Sequence, residues 1–273
     1  MPEYADIFPH SPAAVWDRNQ ALRSLKDYVA IRYYGFAERG YRRVFARLHP
    51  ECIPIIVINF NRLEALQQLI EWLRSSTSNI KIIVLDNHST FKPLLAYYAS
   101  LPAQAVEVIY LKRNRGPQAV LKLVPSLRRF HKYVVTDSDL IPFSTTPGDM
   151  LAKLSDLLDR YPEYNHAGAS LEIADLPTCY PFHRQVQEWE GRYWAHLVNG
   201  EAYEAAIDTT FAMYRGNSDL RRLQPALRLA RPYTLKHVDW YVNPEQVSEE
   251  YAYYLGTCSC VATWATKWNS EHS

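Results

Sequence analysis

Between residues 53 and 137 the chain alternates short apolar runs with stretches of helical spacing, and every run stops at polar residues. The runs are Ile53–Phe60, Ile80–Leu85, Val106–Leu111 and Tyr133–Thr136. They are rich in β-branched residues and lack in/out alternation, the pattern of strands covered on both faces. Helical spacing follows over Arg62–Ser75, over a short segment ending near Ser100, and over Gln118–Phe130. Strands separated by helices of this length pair in parallel through right-handed crossovers. The expectation is therefore an α/β fold, a doubly wound and mostly parallel sheet with helices on both faces.

Beyond Pro142 the pattern loosens. Met150–Arg160 reads as a helix, and His166–Ile173, Asp208–Tyr214 and Tyr233–Val242 read as strands, with an aromatic- and His-rich stretch between. This divides the chain into an arm (1–50), a ligand-binding half (51–142) and a second half of the same domain (143–273). From Asp17 to Pro50 the arm has eight Lys/Arg against three Asp/Glu, on an amphipathic helical pattern. Such an arm packs on the main domain or a second subunit, giving a homo-oligomer, or rests its basic face on an anionic membrane.

Composition removes several classes. A net charge of +1 gives no basic field for nucleic acid. No apolar run approaches the ~18 residues of a bilayer span. The opening residues lack the charged-then-apolar pattern of a signal peptide, so the expected location is the cytoplasm, with peripheral contact at the inner membrane face. The cysteines at 52, 179, 258 and 260 have neither zinc-cage spacing nor the look of a disulfide framework. No G-x-G-x-x-G follows any strand, and Asn59-Phe60-Asn61-Arg62 contains no glycine. These absences argue against dinucleotide chemistry and a triphosphate-cradling nucleotidylyltransferase.

In open α/β sheets, ligands bind beyond the carboxyl ends of the strands. The strand ends here deliver Asn59-Phe60-Asn61-Arg62, Asp86-Asn87, Arg113-Asn114-Arg115-Gly116 and Asp137-Ser138-Asp139 to one rim. An isolated Asp-Ser-Asp is ordinary turn or cap chemistry. Just past a buried strand, Asp137 and Asp139 can instead turn to one oxygen-seeking cation, Mn²⁺ or Mg²⁺, whose shell phosphate oxygens complete.

Residues 53–140 resemble the nucleotide-binding half of a GT-A fold glycosyltransferase, most closely the inverting family two. The features carrying the resemblance are the apolar strand into Asn-Arg, the strand into Asp-Asn-x-Ser, the Asn-x-Gly step and the Asp-x-Asp element, in that order. The resemblance implies a metal-dependent transfer of sugar from a nucleoside-diphosphate donor, UDP or dTDP, to a saccharide or lipid-linked acceptor. It places Asn59 and Asn61 by the base and ribose, and gives Asp86 the ring N–H of uracil or thymine. Gly116 would let backbone pass close to the donor, Arg113 or Arg115 would hold phosphates, and Arg62, Asn87 and Ser138 would complete the donor set. Asp139 would ligate the metal, Asp137 would lie near the ribose or the metal shell, and His237 would be the late metal-binding histidine of such folds. An inverting transfer needs a carboxylate to take the acceptor's proton. Asp208 is the first candidate, with Asp239 and Glu172 behind it, because the family's usual Glu-Asp pair is not evident. Glu172, His183 and Trp194 are the expected acceptor contacts, since aromatic faces stack on sugars. The competing expectation is a catalytically silent nucleotide-sugar-binding subunit of a polysaccharide assembly.

Overall fold

The computed structural model describes residues 49, 51–76, 78–102, 105–123, 127–207, 210–218 and 225–258. The arm, 1–48 and Pro50, and Asp208 lie outside them. Contacts divide the chain into Met1–Leu48 and His49–Ser273, and the second unit is the one described below.

Strand β1, Ile53–Asn59, pairs in parallel with β2, Ile80–Asp86, on one side and β4, Lys132–Asp137, on the other. Pro54 is tolerated in this central strand because the β4 ladder begins only at Ile55. Helix α1, Glu64–Arg74, buries Ala65, Leu66, Leu69, Ile70 and Leu73 on one stripe. Helix α2, Lys92–Ser100, leads to β3, Val106–Tyr110, which extends the parallel set beyond β2. Side chains alternate across the sheet: Ile55 and Val57 join the core under the helices, whereas Ile56 and Ile58 join a second core on the other face.

The second half adds to the same sheet. Leu140–Pro142 forms β5, and Met150–Arg160 forms α3, with the expected bounds. Strand β6, His166–Leu171, is followed by α4, His183–Gly191, and by the short strands β7, Leu197–Val198, and β8, Ala202–Glu204. Then come β9, Ala212–Arg215, β10, Leu227–His237, and helix α5, Glu249–Thr257. The sheet order is β3-β2-β1-β4-β9-β6-β10-β8-β7, with β5 paired to β10. The antiparallel strand β9 joins the parallel set to β6, which runs parallel to β10.

The expected α/β fold is present, with three local differences. Gly116–Lys122 is a 3-10 turn where helix was expected, because Gly116 has φ +57° and Pro117 follows it. The strand expected at 208–214 is confined to Ala212–Arg215 among described residues. The strand expected at 233–242 begins six residues earlier, at Leu227, and ends at His237, where Val238–Tyr241 turns as a 3-10 segment. No described helix is long and apolar enough to cross a membrane.

The order β3-β2-β1-β4 fixes the site. The chain builds outward from β1 through β2 to β3, then returns to β1's other side with β4. Connections therefore diverge between β1 and β4, opening a crevice past their carboxyl ends.

Candidate active site

At the end of β1, the Asn59 side-chain amide donates to the Arg62 carbonyl at 3.0 Å and to the Tyr98 hydroxyl at 2.7 Å. Tyr98 donates in turn to Asp86 Oδ1 at 3.1 Å, and the Ser89 N–H donates to Asp86 Oδ2 at 2.9 Å. Burial, then the Asp86 charge, pushes the Tyr98 phenol upward, so it remains a donor. Asp86 is thus held by one bond on each oxygen, which leaves acceptor capacity on both. Tyr110, in register with Asp86 and edge-on to Tyr98, stands exposed at the same corner.

Asn61 adopts φ +52°, a left-handed conformation Asn tolerates better than most residues. Its Oδ1 accepts the Thr90 and Phe91 N–H groups at 2.8 and 3.0 Å, and its Nδ2 donates to Thr257 Oγ1 at 2.9 Å. The expected donor-binding side chain therefore organises the loop before α2, and its amide group is engaged at both ends. Asn87 does comparable work: it donates to the Gly116 carbonyl at 3.0 Å and accepts the Arg115 N–H at 3.1 Å. A Cβ on Gly116 would meet nothing within 4 Å, so its left-handed backbone borders open space. Arg113 is exposed beside this turn.

Beyond β4, the Ser138 N–H donates to the Ile58 carbonyl at 3.1 Å, and the Val238 N–H donates to the Asp139 carbonyl at 2.9 Å. The β5–β10 ladder sets Leu140 opposite His237. These bonds bring residues about 100 apart in sequence together, with His237 Nε2 3.8 Å from Asp139 Oδ2. The His237 ring is stacked on Trp240, centroids 4.6 Å apart and planes 4° from parallel. Asp139 Oδ1 and His237 Nδ1 are both buried without a hydrogen-bond partner. Asp137 is half-buried at the end of β4, two residues away.

Arg62 and Asp239 form a buried pair at this corner, Nη1 to Oδ1 2.5 Å. Burial works against the Arg62 cation, but Asp239 and then Asp139 hold its pKa above the ordinary arginine value. Burial raises the Asp239 carboxyl and Arg62 opposes that rise, while Asp139 adds to it. One Asp239 oxygen is thereby committed to Arg62.

The acceptor candidates follow β6: Glu172 just past its end, His183 at the start of α4 and Trp194 in the 3-10 segment after it. Glu172 receives the Ile173 and Ala174 N–H groups at 3.1 and 3.0 Å and both arms of Arg231, at 2.7 and 2.5 Å. Burial pulls this carboxyl upward, yet Arg231 and the two amides outweigh burial and hold it below the usual value. The Arg231 guanidinium lies 4.4 Å over the Trp194 ring, which also packs on Tyr203 at 5.2 Å. Glu172 and Trp194 are therefore brought together through Arg231. His183 is half-buried at the first residue of α4.

Sequence reasoning missed Tyr98, Arg231, Trp240, Glu250 and the buried Glu190–Arg228 pair. Apart from Trp240, which stacks on His237 three residues before it, their partners are distant in sequence and carry no local motif. Burial raises the Glu190 carboxyl, with Arg228 opposing.

Residues 55–165 match the model for glycosyl transferase family 2. The match covers the parallel half of the sheet and the start of the second half, less than half of the chain. Solved structures similar to it include the mannosyltransferase PcManGT from Pyrobaculum calidifontis in complex with GDP-Man and Mn²⁺, at 14% identity and TM-score 0.45, covering 83% of this chain and 70% of that one. S. aureus TarS 1–349 with UDP-GlcNAc is similar at 12% identity and TM-score 0.44, covering 67% and 57%. Glucosyl-3-phosphoglycerate synthase from Mycobacterium tuberculosis with Mn²⁺ and UDP-Glc is similar at 14% and 0.39, covering 65% and 60%. The chain thus spans less than two thirds of the latter two chains. No curated protein matches it.

A carboxylate and an imidazole are both competent ligands for a divalent ion such as Mn²⁺. The 3.8 Å between Asp139 Oδ2 and His237 Nε2 is under twice the ~2.1 Å of a ligand bond, so one ion could sit within bonding distance of both. No three His, Cys, Asp or Glu side chains converge as a cage among the described residues. Two protein ligands leave the remaining positions to substrate oxygens and water, as a magnesium-like ion at a phosphate site requires.

Proposed function

We propose that this chain is a glycosyltransferase that moves a sugar from a uridine or thymidine diphosphate donor to a hydroxyl of a saccharide or lipid-linked acceptor, with metal dependence and inversion. The observation carrying this reading is the approach of two ligand-type side chains beyond the carboxyl end of β4, His237 Nε2 lying 3.8 Å from Asp139 Oδ2, with Asp139 Oδ1 free of protein hydrogen bonds beside them.

In this reading Asp86 accepts the ring N–H of the base, and its bonds from Tyr98 and Ser89 fix the direction of its lone pairs. The open backbone of Gly116 lets the donor pass close to the chain. Asp139 and His237 would hold the ion, and Asp137 would lie at the ribose or in the metal shell. The bound ion offsets negative charge on the departing diphosphate. Glu172 accepts an acceptor hydroxyl and Trp194 offers a face to the sugar ring. The acceptor oxygen bonds to the anomeric carbon as the carbon–oxygen bond to the diphosphate breaks, and its proton passes to a carboxylate. Asp208 is the proposed base. Glu172 can only be a weak one, because Arg231 and two amides stabilise its ionised form.

The test is release of UDP or dTDP from a panel of nucleotide sugars with Mn²⁺ and no acceptor, since an active transferase hydrolyses its donor slowly. Turnover that vanishes in Asp139→Ala supports the proposal. Tight metal-dependent binding without turnover of any donor would identify a silent binding subunit instead.

A further inference from the structure

Helix α5 crosses back onto the β1–α1 turn. Leu63, the residue preceding α1, supplies no side-chain cap. Glu250 does so from the far end of the sequence: its Oε2 accepts the Leu63 N–H at 2.9 Å and the Glu64 N–H at 2.8 Å. Free N–H groups at a helix start need acceptors, and an anion there also meets the positive end of the helix dipole. Glu250 Oε1 lies 3.4 Å from Arg62 Nε, and Arg62 lies over the Tyr251 and Tyr254 rings at 5.2 and 5.0 Å. At the helix end, Thr257 Oγ1 accepts from Asn61. On another turn, Tyr253 donates to Thr90 Oγ1 at 3.0 Å and packs on Phe91.

One nine-residue helix thus holds both loops that carry the donor candidates, Asn59–Arg62 and Asp86–Thr90. Through Arg62 it also reaches Asp239, beside Asp139. A helix serving only to cover apolar surface would not need a buried carboxylate aimed at another helix's first amides. Burying that charge is costly unless its partners are held in place.

We propose that Glu250 is a positioning residue for donor binding: it fixes the β1–α1 turn and the direction of Arg62, so that the base-side loops and the Asp139 corner keep one spacing. This rests on the reading of the site given above. Both Glu250 oxygens face partners within the protein, Oε2 the Leu63 and Glu64 amides and Oε1 the Arg62 guanidinium, so its loss acts through geometry.

The experiment titrates UDP and dTDP, each with Mn²⁺, into the full-length protein, its Glu250→Ala and Glu250→Gln variants, and Glu201→Gln as control. Glu201 pairs with Arg160 and Lys153, on α3. Affinity is read at a temperature where circular dichroism shows every variant folded, and hydrogen exchange follows the Leu63 and Glu64 amides. The expected result is a tenfold or larger loss of nucleotide affinity in Glu250→Ala, with faster exchange at those amides. Glu250→Gln, which keeps an acceptor oxygen but not the charge, should recover part of the loss, and Glu201→Gln should bind as wild type. Faster exchange with affinity within twofold of wild type would make Glu250 a structural cap and overturn the proposal. Wild-type protein that binds neither nucleotide would sink the functional reading, and this inference with it. That outcome is distinct from binding that Glu250→Ala leaves unmoved.

Discussion

His166 gives the fold a built-in acid sensitivity. It opens β6, is 5% exposed, and stacks on Tyr214 at 4.9 Å with planes 8° apart. Tyr214 stacks in turn on Tyr133 at 5.5 Å. Burial disfavours the imidazolium and lowers the pKa from 6.5 to about 4. The unfolded chain, titrating near 6.5, binds more protons than the folded one between these values, so stability falls as pH falls through that window. It is fully present above about pH 6.5 and lost as pH approaches 4. At 1.36 kcal/mol per pKa unit, the lowering corresponds to a loss on the order of 3 kcal/mol. Urea denaturation from pH 4 to 7.5 measures it. Because other ionisable groups also titrate in this range, the decisive quantity is the difference between wild type and His166→Phe, which keeps an aromatic ring on Tyr214. The wild type should lose about 2–3 kcal/mol more than the variant between pH 7 and 4.5. Parallel pH profiles would refute the reasoning, because His166 would then titrate alike in both states.

Other perturbations test the packing. Gly168→Ala in β6 places a Cβ 2.4 Å from the Phe211 carbonyl oxygen and 2.9 Å from Ile207 Cδ1. Because the nearer clash is with backbone, the expected loss is about 3 kcal/mol in a denaturant melt; wild-type stability would contradict the register of β6 against β9. Arg62→Met strands Asp239 as a buried, unpaired charge and should cost about 3–5 kcal/mol, whereas Arg62→Met with Asp239→Leu should cost less. A double variant as unstable as the sum of both single variants would show that the two side chains do not act as a pair. Trp194→Ala should raise the acceptor KM with little change in donor affinity; an unchanged acceptor KM would remove Trp194 from the acceptor site.

The parallel half of the fold was legible because its strands are covered on both faces and therefore apolar throughout. Polar residues such as Lys81 and Glu107 are few within the runs, whereas Asn59, Asp86 and Asp137 close β1, β2 and β4 at the rim and marked its edge. Helix α3 was legible from Met150, Leu151, Leu154, Leu157 and Leu158, which form one stripe. Strand β10 was read short. Its first half carries Arg228, buried against Glu190, and then Arg231-Pro232, so charge and proline hid a strand whose polar groups are satisfied across the fold. The roles of Asn61 and Asn87 were only partly visible. Both sit at the expected rim, but their amides hold backbone at Thr90 and Gly116, pairings that depend on tertiary approach. Helix α5 has a local start signal, Ser248 before Glu249-Glu250, but the role of Glu250 left no trace, because a carboxylate capping another helix some 190 residues away has no sequence signature.

The central claim is that Asp139 and His237 together hold the ion through which a nucleoside diphosphate binds. Calorimetric titration of UDP and dTDP with and without Mn²⁺ tests it in wild type, Asp139→Ala and His237→Ala. The account predicts saturable, Mn²⁺-dependent binding that disappears in Asp139→Ala and weakens at least tenfold in His237→Ala, with both variants folded. Wild-type affinity in folded Asp139→Ala would contradict it.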